Sequence, residues 1–220
     1  MGISFRKYLP SVGLVTALLI LGGQSPGPAS ASENGAEGFR GIPVTSSLTS
    51  SPGELSQIDQ LDLVAYQGTW NQIAVLPQIF SLQCARDTRA TYEQVSESTI
   101  RVINTCTDWF GNPSGIEGTA RVTDPGTKAS LRVAFKGVPF QNPDGPANYR
   151  VTWISADGET VIVGNPERTA GFVLSRKADL MESEWRQVRD TVAERGYNPC
   201  TFITSPVTGG VEGYRPLCTL

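Results

Sequence analysis

From about residue 60 onward the chain is a succession of short segments in which apolar and polar residues alternate, the period-two signature of half-buried β-strands. Gly68 to Val75 (GTWNQIAV) is the first, and Arg89 to Val95 (RATYEQV) and Thr99 to Cys106 (TIRVINTC) follow. Then come Ile116 to Thr123, Ala129 to Phe135, Asn148 to Ser155, Glu159 to Gly164 and Gly171 to Arg176, which makes eight segments rich in Val, Ile, Thr and aromatics. Asp157-Gly158 between two of them is a tight-hairpin signal. One stretch changes period. Trp185, Val188 and Val192 fall on one helical face, with Asp179 and Glu182 spaced as a capping box ahead of them and Gly196 and Pro199 as stop signals behind. A last short strand is expected over Thr201 to Thr204.

This order predicts an all-β protein, an eight-stranded antiparallel up-and-down β-barrel with one C-terminal α-helix packed on the outside. Eight strands can close on themselves, leave no open edge and enclose one small ligand. Alternation then sorts each strand into an inward and an outward face. The inward set proposed for ligand contact is Ala90, Tyr92, Val102, Asn104, Ala120, Val133, Phe135, Val151 and Trp153. Gly118 and Ala120 leave volume, and Phe135 and Trp153 supply flat apolar surface. The alternative is that the same side chains fill a closed core. Phe80, Trp109, Phe110 and Phe140 fall in loops, three of them at the expected mouth. There they mark a gate, a lid or a rim for transient membrane contact.

The first sixty residues read differently. Arg6 and Lys7, an apolar run from Val12 to Leu21 and Ala29-Ser30-Ala31 have the layout of a signal peptide over residues 1–31. Residues 32–59 are rich in Ser, Gly and Pro and read as a flexible lead-in, leaving 60–220 as the folded domain. The net charge is −3, and loss of Arg6 and Lys7 with the leader takes it to −5. A chain of that sign does not attract phosphate backbones, so no nucleic-acid partner is expected. Histidine is absent altogether, which removes the commonest general base and transition-metal ligand. No Cys-x-x-Cys occurs either, so no metal and no cofactor are expected. Four cysteines in an exported chain read as two disulfides.

Several motifs fall in a recognisable order. Leu61-Asp62-Leu63-Val64-Ala65-Tyr66-Gln67-Gly68-Thr69-Trp70 carries Gly-x-Trp at the start of the first strand. Asp87 to Tyr92 with Ile100 to Asn104, Gly164 to Arg168 with Val173 to Arg176, and Glu194 to Asn198 follow. In sequence and spacing they resemble the lipocalins, in particular the group of bacterial lipocalins, apolipoprotein D and plant temperature-induced lipocalins. Two departures are visible: Asn71 stands where a Tyr usually follows Gly-x-Trp, and Ser155 to Gly158 lacks an aromatic often found there.

The resemblance implies a non-enzymatic carrier or store of a small hydrophobic ligand: a fatty acid, a lysophospholipid or an isoprenoid-like molecule. It also implies a structural group at the closed end, Gly68, Trp70 and Arg176, with the arginine lying across the tryptophan ring. Two cysteine pairings are open. Cys84 and Cys106 fall at the same end of an up-and-down barrel, which would leave Cys200 with Cys218. A bridge like that of apolipoprotein D would instead join Cys84 to Cys218 and leave Cys106 with Cys200. A secreted or periplasmic location is expected, because the first cysteine, Cys84, lies far beyond where a lipoprotein would be lipidated. The alternatives are a lipocalin-like enzyme, which would need a free thiol at Cys106, and a secreted module that binds another protein.

Overall fold

The computed structural model describes residues 53–139 and 141–220. The expected leader, most of the lead-in and Phe140 lie outside the described residues. The chain is docked somewhat earlier than Gln60. Leu55 is buried, its N–H donates to Pro166 O at 2.8 Å, and its carbonyl accepts from Arg150. One leucine and backbone pairing leave no periodic pattern, which is why composition alone puts the start later.

A single helical turn, α1 (Leu63–Tyr66), closes one end of the barrel, capped by Asp62, whose carboxylate accepts from Val64 and Ala65 N–H. The strands are β1 (Gly68–Val75), β2 (Cys84–Ser96), β3 (Thr99–Asp108), β4 (Pro113–Val122), β5 (Ser130–Phe135), β6 (Tyr149–Ile154), β7 (Thr160–Gly164) and β8 (Gly171–Ser175). Each pairs antiparallel with the next, and β1 pairs with both β8 and β2, so the sheet closes as an eight-stranded barrel. A two-residue β9 (Ile203–Thr204) lies against β1 at Ala74 and Val75. The β5–β6 seam is short, with two residue pairs; beyond them the Asn148 carboxamide bonds both the N–H and the C=O of Val133 in place of a backbone partner.

Two apolar clusters divide at the barrel wall. Inside lie Trp70, Tyr92, Val102, Leu131, Val151, Val161, Val163 and Leu174, among others. Outside, Ile73, Ile162 and Val173 on the outer faces of β1, β7 and β8 meet Trp185, Val188 and Val192 of helix α2 (Glu182–Glu194). The helix therefore buries its stripe on the outer wall, as its spacing predicts. Its start differs from the expectation. Glu184 accepts from Met181 N–H at 2.8 Å and forms the cap, while Asp179 receives the indole N–H of Trp185 at 3.0 Å. The helix ends at Gly196, whose φ of +82° is a conformation that favours glycine. Tyr197 and Phe202 then pack edge-to-face over Gly164 and Gly171, two opposed strand positions where an added Cβ would collide with those rings.

Candidate functional site

The barrel has a sealed end and an open end, and the sealed end is built first by sequence. Leu61, Leu63 and Tyr66 are buried beneath Trp70, whose indole N–H donates to Tyr66 O at 3.0 Å. Arg176, just past β8, places its guanidinium carbon 3.7 Å from the Trp70 ring centroid. Its N–H groups donate to the carbonyls of Thr69, Ala65 and Gln67. A charge so engaged closes the barrel floor and is unavailable to an anion inside. Gly68 has a φ of +89°, and a Cβ there would lie 3.3 Å from an Arg176 nitrogen, so both the backbone and the close approach call for glycine.

Above the floor the register places side chains by direct opposition. Gly68 lies opposite Tyr92, Tyr92 opposite Val102, Val102 opposite Gly118 and Gly118 opposite Phe135. A second ring runs through Ile100, Ala120 and Val133, and a third through Ala90, Asn104 and Ile116. Ala90, Tyr92, Val102, Ala120 and Val151 are buried in the inner cluster, with Val133 and Phe135 part-buried against it. The space that Gly118 leaves is taken by the Phe135 ring, which a Cβ at Gly118 would strike. Asn104 faces inward, and its Oδ1 is sealed from solvent with no hydrogen-bond partner.

Trp153 is not part of this wall. A β-bulge between Val151 and Trp153 sets Trp153 opposite Ile162, which faces out, and restores Ile154 to the inside opposite Val161. One extra residue reverses strict alternation. Trp153 instead packs beside α2 and lines an external cleft of about 250 Å³ with Leu180, Glu184 and Val188.

Sequence reasoning also missed a polar group. Tyr66 of α1 and Tyr92 of β2 both bond Tyr149 of β6, hydroxyl to hydroxyl, at 2.7 and 2.9 Å. Since β2 and β6 lie on opposite sides of the barrel, the phenols span the lumen above Trp70. Burial pushes Tyr92 up to about 12 and Tyr66 and Tyr149 well above the ordinary tyrosine value, so all three stay neutral O–H groups. Tyr66 sits in the segment before Gly-x-Trp, but a tyrosine in a helical turn gives no sign of what its hydroxyl reaches.

The inner wall changes character with height. Tyr92, Val102 and Val151 are sealed, whereas Phe135, Val133, Phe172 and Asn104 face inward and still meet solvent. The mouth is ringed by the loops after β1, β3, β5 and β7. The 3-10 turn Ile79–Gln83 exposes Ile79, Phe80 and Leu82, and the β3–β4 turn exposes Trp109 and Phe110. Trp109 donates to Leu82 O at 2.6 Å and stacks on Tyr214, which ties the two loops together. Cys84 is bonded to Cys106 across β2 and β3 at this end, and Cys200 to Cys218 in the tail. No cysteine is free, so Cys106 is not the nucleophile an enzymatic reading requires.

A closed eight-stranded meander, a Gly-x-Trp floor under an arginine and a helix on the outer wall have close parallels among known proteins. The family model described as a lipocalin-like domain matches residues 61–207. The chain belongs to the lipocalin family. Temperature-induced lipocalin-1 of Arabidopsis thaliana is 34% identical over 157 residues, 70% of this chain and 83% of the plant protein. The outer membrane lipoprotein Blc of Escherichia coli is 26% identical over 164 residues, 73% of this chain and 87% of that protein. Among solved structures, insecticyanin from the tobacco hornworm Manduca sexta superposes with a TM-score of 0.50 at 18% identity, covering 74% of this chain and 93% of insecticyanin. The cockroach allergen Per a 4 gives a TM-score of 0.51 at 15% identity, over 70% of this chain and 96% of the allergen. At those identities the structures attest the fold alone. Lipocalins generally bind small hydrophobic ligands.

Proposed function

We propose that this lipocalin binds and carries or stores a small hydrophobic ligand outside the cytoplasm, of the fatty acid, lysophospholipid or isoprenoid kind, and performs no chemical step on it. The observation that carries the reading is the graded inner wall. Apolar side chains make up most of it, buried at Val102 and Val151 and part-exposed at Val133, Phe135 and Phe172. Ligand contact would come from Ala90, Tyr92, Val102, Asn104, Ala120, Val133, Phe135 and Val151. Apolar area removed from water there contributes about 25 cal/mol per Å², offset by the cost of immobilising the ligand. Absence of histidine, paired cysteines and phenols that stay protonated leave no group on this wall that changes charge near neutral pH. Two disulfides support an oxidising compartment.

The mouth supports a way in. Residues 76–83 carry no charge, and Ile79 and Phe110 stand 90% and 91% exposed on separate loop tips. Separate protruding tips suit partition into a lipid surface, and a net charge of −3 to −5 favours a zwitterionic over an anionic one. The direct test of the carrier reading is mass spectrometry of lipids extracted from natively purified protein, with displacement of a neutral fluorescent probe. A co-purified apolar molecule that competes with the probe is the expected result. An empty barrel that takes up no probe overturns the reading.

A further inference from the structure

The polar atoms of the inner wall can be counted, and the count specifies what kind of head group the cup accepts. Tyr66, Tyr92 and Tyr149 bring three hydroxyl hydrogens. Two are used in the two short phenol–phenol bonds, and the third has only the longer Tyr66–Tyr92 approach, which a ligand oxygen can replace. Asn104 adds a carboxamide whose oxygen is buried and unpartnered. By rotating, that amide can offer an acceptor or a donor.

Below the mouth, where Asp108 ends β3 on the inward parity, charge is kept off the same surface. Glu93, Arg101, Glu117, Arg121, Arg132 and Arg150 all fall on the outward half of the alternation on β2 to β6. Arg101 is bound there to Glu93 and Glu117, and Arg150 to Glu54. Strands β1, β7 and β8 hold no charged residue. A carboxylate or phosphate carried down to the phenols would meet only the Arg176 guanidinium, already engaged by the Thr69, Ala65 and Gln67 carbonyls, and would be buried at a cost of several kcal/mol. Unmet neutral polar groups are themselves costly when buried, and each is satisfied by one ligand oxygen.

We infer that the cup takes an uncharged, oxygen-bearing lipid (an alcohol, ketone or ester), with one oxygen accepting from the phenol group and a polar atom meeting Asn104. This rests on the carrier reading and narrows its ligand list. An orphaned amide oxygen destabilises the empty protein, so its removal separates a binding role from a structural one.

The experiment compares dodecanol with dodecanoate as competitors of the neutral fluorescent probe, at neutral pH where the acid is ionised. Dodecanol should bind at least about tenfold more tightly. Asn104→Leu should weaken dodecanol about fivefold more than it weakens the probe, and leave thermal stability equal or higher. Replacing Tyr66, Tyr92 and Tyr149 together by Phe keeps the packing, removes every phenolic donor and should abolish the alcohol's advantage. Equal or tighter binding of dodecanoate, or variants that bind dodecanol as the parent does, overturns the inference while the carrier reading stands. Failure of the parent protein to bind the probe at all overturns the carrier reading itself.

Discussion

Two tryptophans mark the two ends of the barrel. Trp70 is 1% exposed, donates to a backbone carbonyl and lies under a guanidinium; Trp109 is 62% exposed and rests on a loop and a tyrosine. The closed end is held by packing that spans α1, β1 and β8, with the Trp70 indole and the Arg176 guanidinium engaged by backbone carbonyls. The mouth is held by a covalent link and by loops whose apolar side chains point into solvent. A binding cup needs both. A floor that could open would let water through the lumen, and a rim as tightly packed as the floor would admit no ligand.

The sharpest test of that difference is truncation of each ring. Trp70→Ala should lower unfolding free energy by about 3–5 kcal/mol, the range for removing a buried aromatic and leaving a cavity. Trp109→Ala should change it by less than about 0.5 kcal/mol, as surface substitutions do. Urea unfolding followed by circular dichroism reads both. Comparable losses would mean that the mouth contributes to the core and that the two ends are not distinct.

Next in size is the link at the mouth. Cys84 and Cys106 are separated by 22 residues, with Cα atoms 5.6 Å apart. Replacing both with Ala should cost about 3 kcal/mol in the chain-entropy account. The effect resides in the unfolded chain, so ligand affinity should stay close to that of the parent. A large affinity loss would show instead that the bridge shapes the cup.

Most of this architecture was legible in the sequence, and the misses have local causes. The β3–β4 and β4–β5 pairings run without a register shift, so Val102, Ala120 and Phe135 could be placed by counting. On β7 both faces are covered, since Val161 and Val163 point inward and Ile162 lies beside α2. A continuous apolar run hides its parity. At Trp153 the count failed because a bulge adds a residue without any glycine or proline to announce it. The phenol group escaped because it joins α1, β2 and β6, and hydroxyl contacts across a lumen have no period in sequence. The corrected orientation is testable. Trp153→Ala should cost about 1–3 kcal/mol of stability by thinning the packing beside α2 and leave probe affinity intact. Phe135→Ala should lower probe affinity, and the reverse pattern would restore Trp153 to the wall.

A smaller effect is expected on the rim. Ile79→Ser with Phe110→Ser should leave unfolding unchanged within about 0.5 kcal/mol. Partition onto zwitterionic phosphatidylcholine vesicles should drop about tenfold or more, since full burial of one such side chain contributes about 1.5–3 kcal/mol. Sedimentation with vesicles, and a blue shift of Trp109 fluorescence, read this directly. Equal partition of parent and variant would mean that the rim does not enter lipid.

The smallest effect is electrostatic and touches a turn at each end. At the closed end, Asp157 accepts from the Ser155 hydroxyl, then from Glu159 N–H, with Lys177 close by, and these bonds hold its carboxyl down to about 2. At the mouth, Asp108 accepts from the N–H groups of Asn112 and Phe110, which holds it below the usual carboxylate range. A depressed pKa means the carboxylate form is favoured by folding, so the stabilisation is complete above the unfolded value of about 3.9 and fades as pH falls toward the folded one. Both groups are exposed to solvent, so added salt should shrink the effect. The consequences differ by location. Lys177 also bonds Glu184 of α2, so protonation of Asp157 removes a link that reaches from the β6–β7 hairpin to the helix, and global stability should decline slightly between about pH 4 and pH 2. Asp108 holds only its own turn, so acid should speed amide exchange at Phe110 and Asn112 with no matching change in global unfolding. Asp157→Asn should flatten the global acid limb, and Asp108→Asn should not. If Asp108→Asn flattened it instead, the mouth would be part of the cooperative unit, and the division between a packed floor and a locally held rim would fail.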